Sequence, residues 1–187
     1  MNERLTRALI NSTYKGASFA SKLRRSKETP FFCIVTPVFD PALTAIKTLI
    51  ADLQDQTFAD FKHVLISNGR SPKIANLINK INKKDQRFIY DEITQEKILT
   101  SVDLLKNLGK RREFSLKKYI ARRYLFFDAD LKIIDKHFFA KLFVADKVSK
   151  KDVILSRIKY QNSILPKYPI KFGTIDMANF SFSRKIV

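Results

Sequence analysis

One cysteine, two histidines and a shortage of acid set the first limits on this chain. With Cys33 alone, no intrachain disulfide can form, which suits a reducing compartment. Cys33 sits inside an apolar run and reads as a small core residue rather than a nucleophile. His63 and His137 are far apart in sequence and each lies beside apolar residues. A histidine metal centre or a hydrolytic triad therefore lacks parts. No apolar run approaches the roughly 20 residues of a membrane span. Acid is scarce: 18 Asp and Glu stand against 36 Lys and Arg, giving +18 over 187 residues. That field favours anionic partners such as nucleotides, nucleic acid or acidic lipid. A lysine-rich solvated surface gives the same total. Nothing resembling a helix-turn-helix, zinc or RNA-recognition signature accompanies the charge, which argues against a nucleic-acid binder.

What is present divides in two. Residues 1–29 are basic and loosely patterned, with Arg4, Arg7, Lys15, Lys22, Arg24, Arg25 and Lys27 and only a partial stripe of Leu5, Leu9 and Ile10. A frayed terminal helix, a basic amphipathic membrane anchor and an organelle transit segment all fit that composition. Residues 30–187 then alternate between strand and helix patterns. Phe31 to Phe39 is a continuous apolar run, the first expected strand. Pro41 opens a helix whose Ala42, Leu43, Ile46, Leu49, Ile50 and Leu53 share one face. Phe61 to Ile66 is a second strand, closed by an Asn68-Gly69 turn. Ile74, Leu77, Ile78 and Ile81 mark a second helix, and Arg87 to Tyr90 a third strand. Residues 94–122 carry helical stripes (Ile98, Val102, Leu105, Leu108) and a dense basic stretch. A helix near Phe138 to Val144, a strand at Val153 to Leu155 and a closing segment from Ala178 to Ser183 complete the pattern. Alternating strand and helix with short links predicts an α/β fold, a mostly parallel sheet flanked by helices.

The most informative segment is Tyr124-Leu125-Phe126-Phe127-Asp128-Ala129-Asp130, a short buried strand that ends in two carboxylates. On an extended chain, side chains two apart point the same way, so Asp128 and Asp130 are expected to converge just past the strand. Their repulsion calls for a cation, and Mn²⁺ or Mg²⁺ fits, because hard ions often bridge carboxylates to a substrate's phosphates. In parallel sheets ligands sit outside the carboxyl ends of strands. That rule places Asp40, Ser67 to Gly69 and Asp128 to Asp130 on one rim.

These segments resemble family 2 glycosyltransferases of the GT-A, Rossmann-like fold. Cys33 through Asp40 is similar to that family's opening strand. Leu49 through Gln56-Thr57-Phe58 is similar to its first helix and terminal Gln-Thr, Val64 through Gly69 to its second strand and turn, and Leu125 through Asp130 to its Asp-X-Asp motif. The resemblance covers roughly residues 31–135. It implies a metal-dependent hexosyltransferase of inverting type, taking a nucleotide-sugar donor, a UDP-sugar first, and a glycan or lipid-linked acceptor in surface polysaccharide synthesis. Thr36, Pro37 and Phe39 would line the base pocket with Asp40 at its edge, and Asn68 would lie near the base. Asp128 would approach the ribose or the metal, and Asp130 would hold the metal. Among Lys110, Arg111 and Arg112, the last is the leading candidate to reach the diphosphate, since Arg pairs phosphate bidentately. The other basic residues of that stretch, Arg122 and Arg123 among them, read chiefly as a solvated helix face.

Two departures stand out. Ser67 occupies the place where relatives carry an Asp on the base, which puts base preference in doubt. The closing segment lacks the acidic pair that relatives use to deprotonate the acceptor hydroxyl. Asp176 is the nearby carboxylate and the candidate catalytic residue. The acceptor part of residues 30–187 is therefore expected to be shortened, and a nucleotide-binding module without turnover is the alternative reading. The expected location is cytoplasmic, with the basic surface and residues 1–29 suited to the anionic inner face of a membrane.

Overall fold

The apolar run beginning at Phe31 becomes a central strand. In the computed structural model, which describes residues 29–156, 158–160, 163–165 and 180–186, β1 (Phe32–Val38) is buried at every position. A strand covered on both faces needs apolar residues without alternation, and the run supplies them. β2 (Phe61–Asn68) lies parallel on one side of it and β4 (Arg123–Phe126) parallel on the other. β3 (Phe88–Ile93) pairs in parallel with β2 and runs past the expected Tyr90 to Ile93. β8 (Phe180–Ser183) is antiparallel to both its neighbours, β4 and β5 (Val153–Leu155), and the order is β3-β2-β1-β4-β8-β5. β6 (Ile158–Tyr160) and β7 (Ser163–Leu165) form a separate antiparallel pair.

Three helices cover one face of the sheet. A short 3-10 turn at Asp40–Ala42 holds Pro41, and α1 (Leu43–Gln54) follows with Ile46, Leu49, Ile50 and Leu53 buried, as their spacing predicts. α2 (Pro72–Asn82) buries Ile74 and Ile78, and α4 (Phe138–Ser149) buries Phe139, Ala140, Leu142 and Val144. Apart from Val144, these side chains close on Phe32, Ile34, Val38, Leu65 and Leu125. Each leucine, isoleucine or phenylalanine among them, fully buried, contributes about 1.5–3 kcal/mol of transfer free energy. The Gln-Thr pair after α1 has a structural role. Gln56 Nε2 donates to Asp135 O (3.1 Å), and Thr57 Oγ1 donates to Lys136 O (3.2 Å), tying α1 to the chain entering α4.

α3 (Ser101–Lys118) lies over the opposite face, where Cys33, Val35, Val64, Ile66 and Tyr124 pack with Phe114, Leu116 and Tyr119. It starts in a capping box: Thr100 Oγ1 accepts from Asp103 N (3.1 Å), and Asp103 Oδ2 accepts from Thr100 N (3.0 Å). Its orientation corrects the sequence expectation. The apolar stripe is exposed at Val102 and Leu105, and the helix buries Asn107, Arg111 and Ser115 instead. The cause is what lies beneath that face. Arg111 Nη1 donates to Val38 O (3.2 Å) at the end of β1 and to Ile66 O (3.4 Å) near the end of β2. Strand-end carbonyls need donors, which an apolar face cannot give. Arg123 is the second correction. It belongs to β4 and is buried, not on a solvated helix face. Among the described residues no helix is long and apolar enough to cross a membrane. The basic segment 1–29 lies outside the described residues up to position 28.

Candidate functional site at the carboxyl edge of the sheet

The strand order reverses at β1. β2 and β3 extend the sheet to one side, and β4 arrives on the other through α3 on the opposite face. The crevice outside the carboxyl ends of β1 and β4 is thus the switch point at which such sheets bind ligands. Val38-Phe39-Asp40 leaves β1 there, and Phe127-Asp128 leaves β4 beside it, with Phe127 N still donating to Val35 O (3.0 Å).

The two carboxylates reach this edge by a route the sequence did not display. β4 ends at Phe126, and Ala129 and Asp130 lie in a turn closed by Leu131 N donating to Asp128 O (3.1 Å). Strand alternation therefore does not set their relative direction. Both are exposed. Asp128 stands 3.6 Å from Arg112 Nη2, an ion pair longer than a charge-assisted hydrogen bond. The Arg112 guanidinium lies 5.4 Å from the centre of the Phe126 ring, is only 21 % exposed, and its buried Nε has no partner among the described residues. A buried donor without an acceptor costs roughly 1–3 kcal/mol. A loose pair contributes little against that. Arg112 is therefore a planar cation, held by packing and short of acceptors, beside the Asp128 carboxylate.

A second set of polar groups closes the rim around β2. Ser67 Oγ donates to Gly69 O (2.6 Å) and lies 2.7 Å from Tyr90 Oη, which also accepts from Ser71 N (2.7 Å). Ser71 Oγ in turn donates to Asp40 Oδ1. Asn68 uses both ends of its amide on the backbone of Glu96, giving from Nδ2 to O and accepting at Oδ1 from N, each at 2.8 Å. Asn107 Nδ2 donates to the same Asn68 Oδ1 (3.1 Å), while its own buried Oδ1 has no partner among the described residues. Gly69 takes φ +73°, and a Cβ there would meet Gln95 Cβ at 2.7 Å, so the turn requires glycine. Burial and the neighbouring Arg112 lower the Arg111 pKa to about 10, which leaves it charged at neutral pH.

The expected site residues are thus spread over different environments. Asp40, Asn68, Arg112, Asp128 and Asp130 stand at the carboxyl edge. Phe39 is there too, with 58 % of its surface exposed, an unusual state for an aromatic that follows a buried strand. Pro37 is buried within β1. Thr36 is wholly buried, with Oγ1 2.9 Å from His63 Nε2, so its side chain belongs to the core. Burial pushes the His63 pKa down to about 3, and its ring is neutral. Burial likewise pushes the Cys33 thiol up to about 12, the inert core residue the sequence suggests. Lys110 is engaged with Glu96 (2.6 Å). Asp176 lies outside the described residues. Sequence reasoning passed over Tyr90, Glu96 and Asn107, because each acquires its role from partners brought in by the sheet.

No group of three or more His, Cys, Asp or Glu side chains gathers among the described residues. A divalent ion at this edge would have at most the two aspartates as protein ligands. Mg²⁺ and Mn²⁺ accept that arrangement where substrate phosphates and water complete the shell, so the donor set fits such an ion.

No family model matches the chain, and no curated protein does. Solved structures do match. The first 349 residues of S. aureus TarS in complex with UDP share its fold at TM-score 0.66 and 16% identity, over 83% of this chain and 47% of that one. The same protein in complex with UDP-GlcNAc gives 0.64 and 15%, over 83% and 46%. The mannosyltransferase PcManGT from Pyrobaculum calidifontis, in complex with GDP-Man and Mn2+, gives 0.56 and 10%, over 97% and 56%. The chain spans about half the length of the solved structures it matches. The likeness establishes the architecture: a GT-A-like, six-stranded, mostly parallel sheet flanked by helices, a fold shared with glycosyltransferases.

Proposed function

We propose that the carboxyl edge of this sheet binds a nucleoside-diphosphate sugar, with a UDP-sugar the first candidate, and that the chain carries the donor half of a hexosyltransferase. The observation that carries this reading is Arg112, a largely buried guanidinium with an unpaired Nε beside Asp128. A diphosphate would offer acceptors to the exposed part of this guanidinium and would compete well against a carboxylate at 3.6 Å. The ligands of the matched structures, UDP, UDP-GlcNAc and GDP-Man, support the ligand class. Phe39, exposed at the exit of β1, offers an apolar surface to a base, and Asp40, fixed by Ser71, offers an acceptor at its edge. With Ser67 turned into its own hydrogen-bond network, base selection falls to these neighbours.

Asp130 and Asp128 would hold Mn²⁺ or Mg²⁺ against the diphosphate, and such an ion, when bound, stabilises the charge that builds on the leaving group. The protein's own part is to orient the diphosphate between Arg112 and that pair. The hydroxyl of an acceptor, a glycan or lipid-linked glycan, would attack the donor's anomeric carbon from the face opposite the diphosphate, which leaves, and it needs a base to take its proton. Among the described rim carboxylates, Asp40 is engaged with Ser71, Asp128 with Arg112 and Glu96 with Lys110. That engagement favours a second reading, nucleotide binding without turnover, unless Asp176 serves as the base. Surface polysaccharide synthesis at the cytoplasmic face of an anionic membrane is the setting that fits the charge.

The test is calorimetric titration of UDP and GDP, with and without Mn²⁺, into wild type and Asp130→Ala. The expected result is metal-dependent binding that the substitution abolishes. Absence of binding under every condition would reduce the likeness to one of fold.

A further inference from the structure

The other end of the sheet carries a different surface. A groove of about 900 Å³ opens at the amino ends of β4 and β5, where Arg122, Lys147, Lys150, Lys151, Arg184 and Lys185 line it, all exposed. Only two acids share the groove, and both are engaged: Asp146 with the buried Arg123, and Asp152 with Ser183 Oγ (2.8 Å). None of the six cations forms an ion pair among the described residues, though Lys147 lies over the Phe31 and Phe143 rings at 5.4 and 5.3 Å. Backbone hydrogen bonds tie the floor together: Arg184 N donates to Arg122 O (3.0 Å) and Ser183 N to Asp152 O (2.7 Å).

Three large apolar side chains, Ile120, Val153 and Ile186, are exposed on or beside the same groove, at 51, 40 and 52 %. Cations interspersed with exposed aliphatics are the composition of a face that lies in a bilayer interface. Single-stranded nucleic acid would ask instead for stacking platforms, and the one aromatic lining the groove, Phe31, is buried. Lys150 adds an independent observation. It ends α4 in the left-handed region at φ 52°, a position that glycine takes with least strain. The chain places a cation there against its local preference, as sequences do where function outweighs stability.

We propose that this amino edge is a docking face for an anionic phospholipid bilayer, with the six cations over headgroup phosphates and the isoleucines at the acyl boundary. The idea rests on the reading of a transferase beside a membrane, and it assigns the surface that does the docking.

The experiment is sedimentation of the whole chain with phosphatidylcholine vesicles, with and without phosphatidylglycerol, alongside UDP calorimetry on each variant. Binding is expected only to the anionic vesicles. Lys151→Glu with Lys185→Glu should weaken it more than tenfold, since each cation at such a surface is worth roughly fivefold in partitioning. Lys150→Gly should weaken it by about fivefold while Tm holds or rises, which separates docking from folding. Ile120→Ser with Ile186→Ser should weaken it at unchanged charge. Undiminished binding by the charge-reversed variant would overturn the proposal, as would equal binding to duplex DNA that the isoleucine changes leave untouched. UDP binding that persists in a chain blind to vesicles would remove only the docking face. Vesicle binding without UDP binding would remove only the nucleotide reading.

Discussion

The two ends of one sheet treat buried arginine in opposite ways. At the amino edge Arg123 uses all five donors. Nε reaches Ser181 Oγ (2.8 Å), Nη1 reaches Asp146 Oδ1 and Lys151 O, and Nη2 reaches Asp152 O and Ser181 O. At the carboxyl edge Arg111 reaches two strand carbonyls with a single nitrogen, and the Nε atoms of Arg111 and Arg112 both lack a partner among the described residues. A completed network ties strands together and has nothing left to offer. An incomplete one holds a cation in place before a ligand arrives, and at Arg112 the side chain keeps 21 % of its surface exposed, so its outer nitrogens can be reached. Access matters as much as incompleteness. His63 Nδ1 is also unpaired, yet the ring is sealed in the core and has no approach. The difference between the edges is the main physical reason for proposing an anion site at the carboxyl edge.

The comparison breaks most visibly at Arg123. Arg123→Met removes five donors and leaves Asp146 without its partner, so unfolding in denaturant should show a loss of about 3–5 kcal/mol. UDP affinity of the folded fraction should not change. A matching fall in UDP affinity would mean that the two edges are not separate in function.

His63 sharpens the point about access. The unfolded chain protonates this side chain near its ordinary value of 6.5, while the folded chain resists until about 3. Between those limits the unfolded state binds more protons, so stability falls as pH falls, by about 1.4 kcal/mol per unit. Thermal melts from neutral pH down to about 5 should show that slope in wild type and lose it in His63→Gln. Equal slopes in the two proteins would show that the ring is not the sealed, neutral group described above.

The smallest effect belongs to Gly109, mid-way along α3, where an added Cβ meets nothing within 4 Å. Gly109→Ala should raise stability by about 1 kcal/mol, readable as a higher Tm. No gain would mean that the glycine is already compensated in the helix.

How much of this was legible in the sequence follows from the same contrast. β1, α1 and the carboxylates after β4 could be read because long apolar runs and helical spacing report burial on apolar surroundings. α3 could not, because its buried face is Asn107, Arg111 and Ser115, and periodicity assumes that buried means apolar. Its partners are strand-end carbonyls that exist only once the sheet has formed. Arg123 was hidden in a basic run for a similar reason: Asp146 and Ser181 lie 23 and 58 residues away. The pairing of Asp128 with Arg112 was half visible. The residues were picked out, but the turn that directs Asp130 was not, because strand alternation stops at Phe126.

The most direct test of the account is UDP titration at fixed Mn²⁺ into wild type and Arg112→Ala, with circular dichroism confirming the fold of both. A charge-assisted phosphate contact is worth about 1.5–3 kcal/mol, so the variant should bind roughly 10- to 100-fold more weakly. Unchanged affinity would contradict the proposal that the Arg112 guanidinium at the carboxyl edge is the diphosphate's partner.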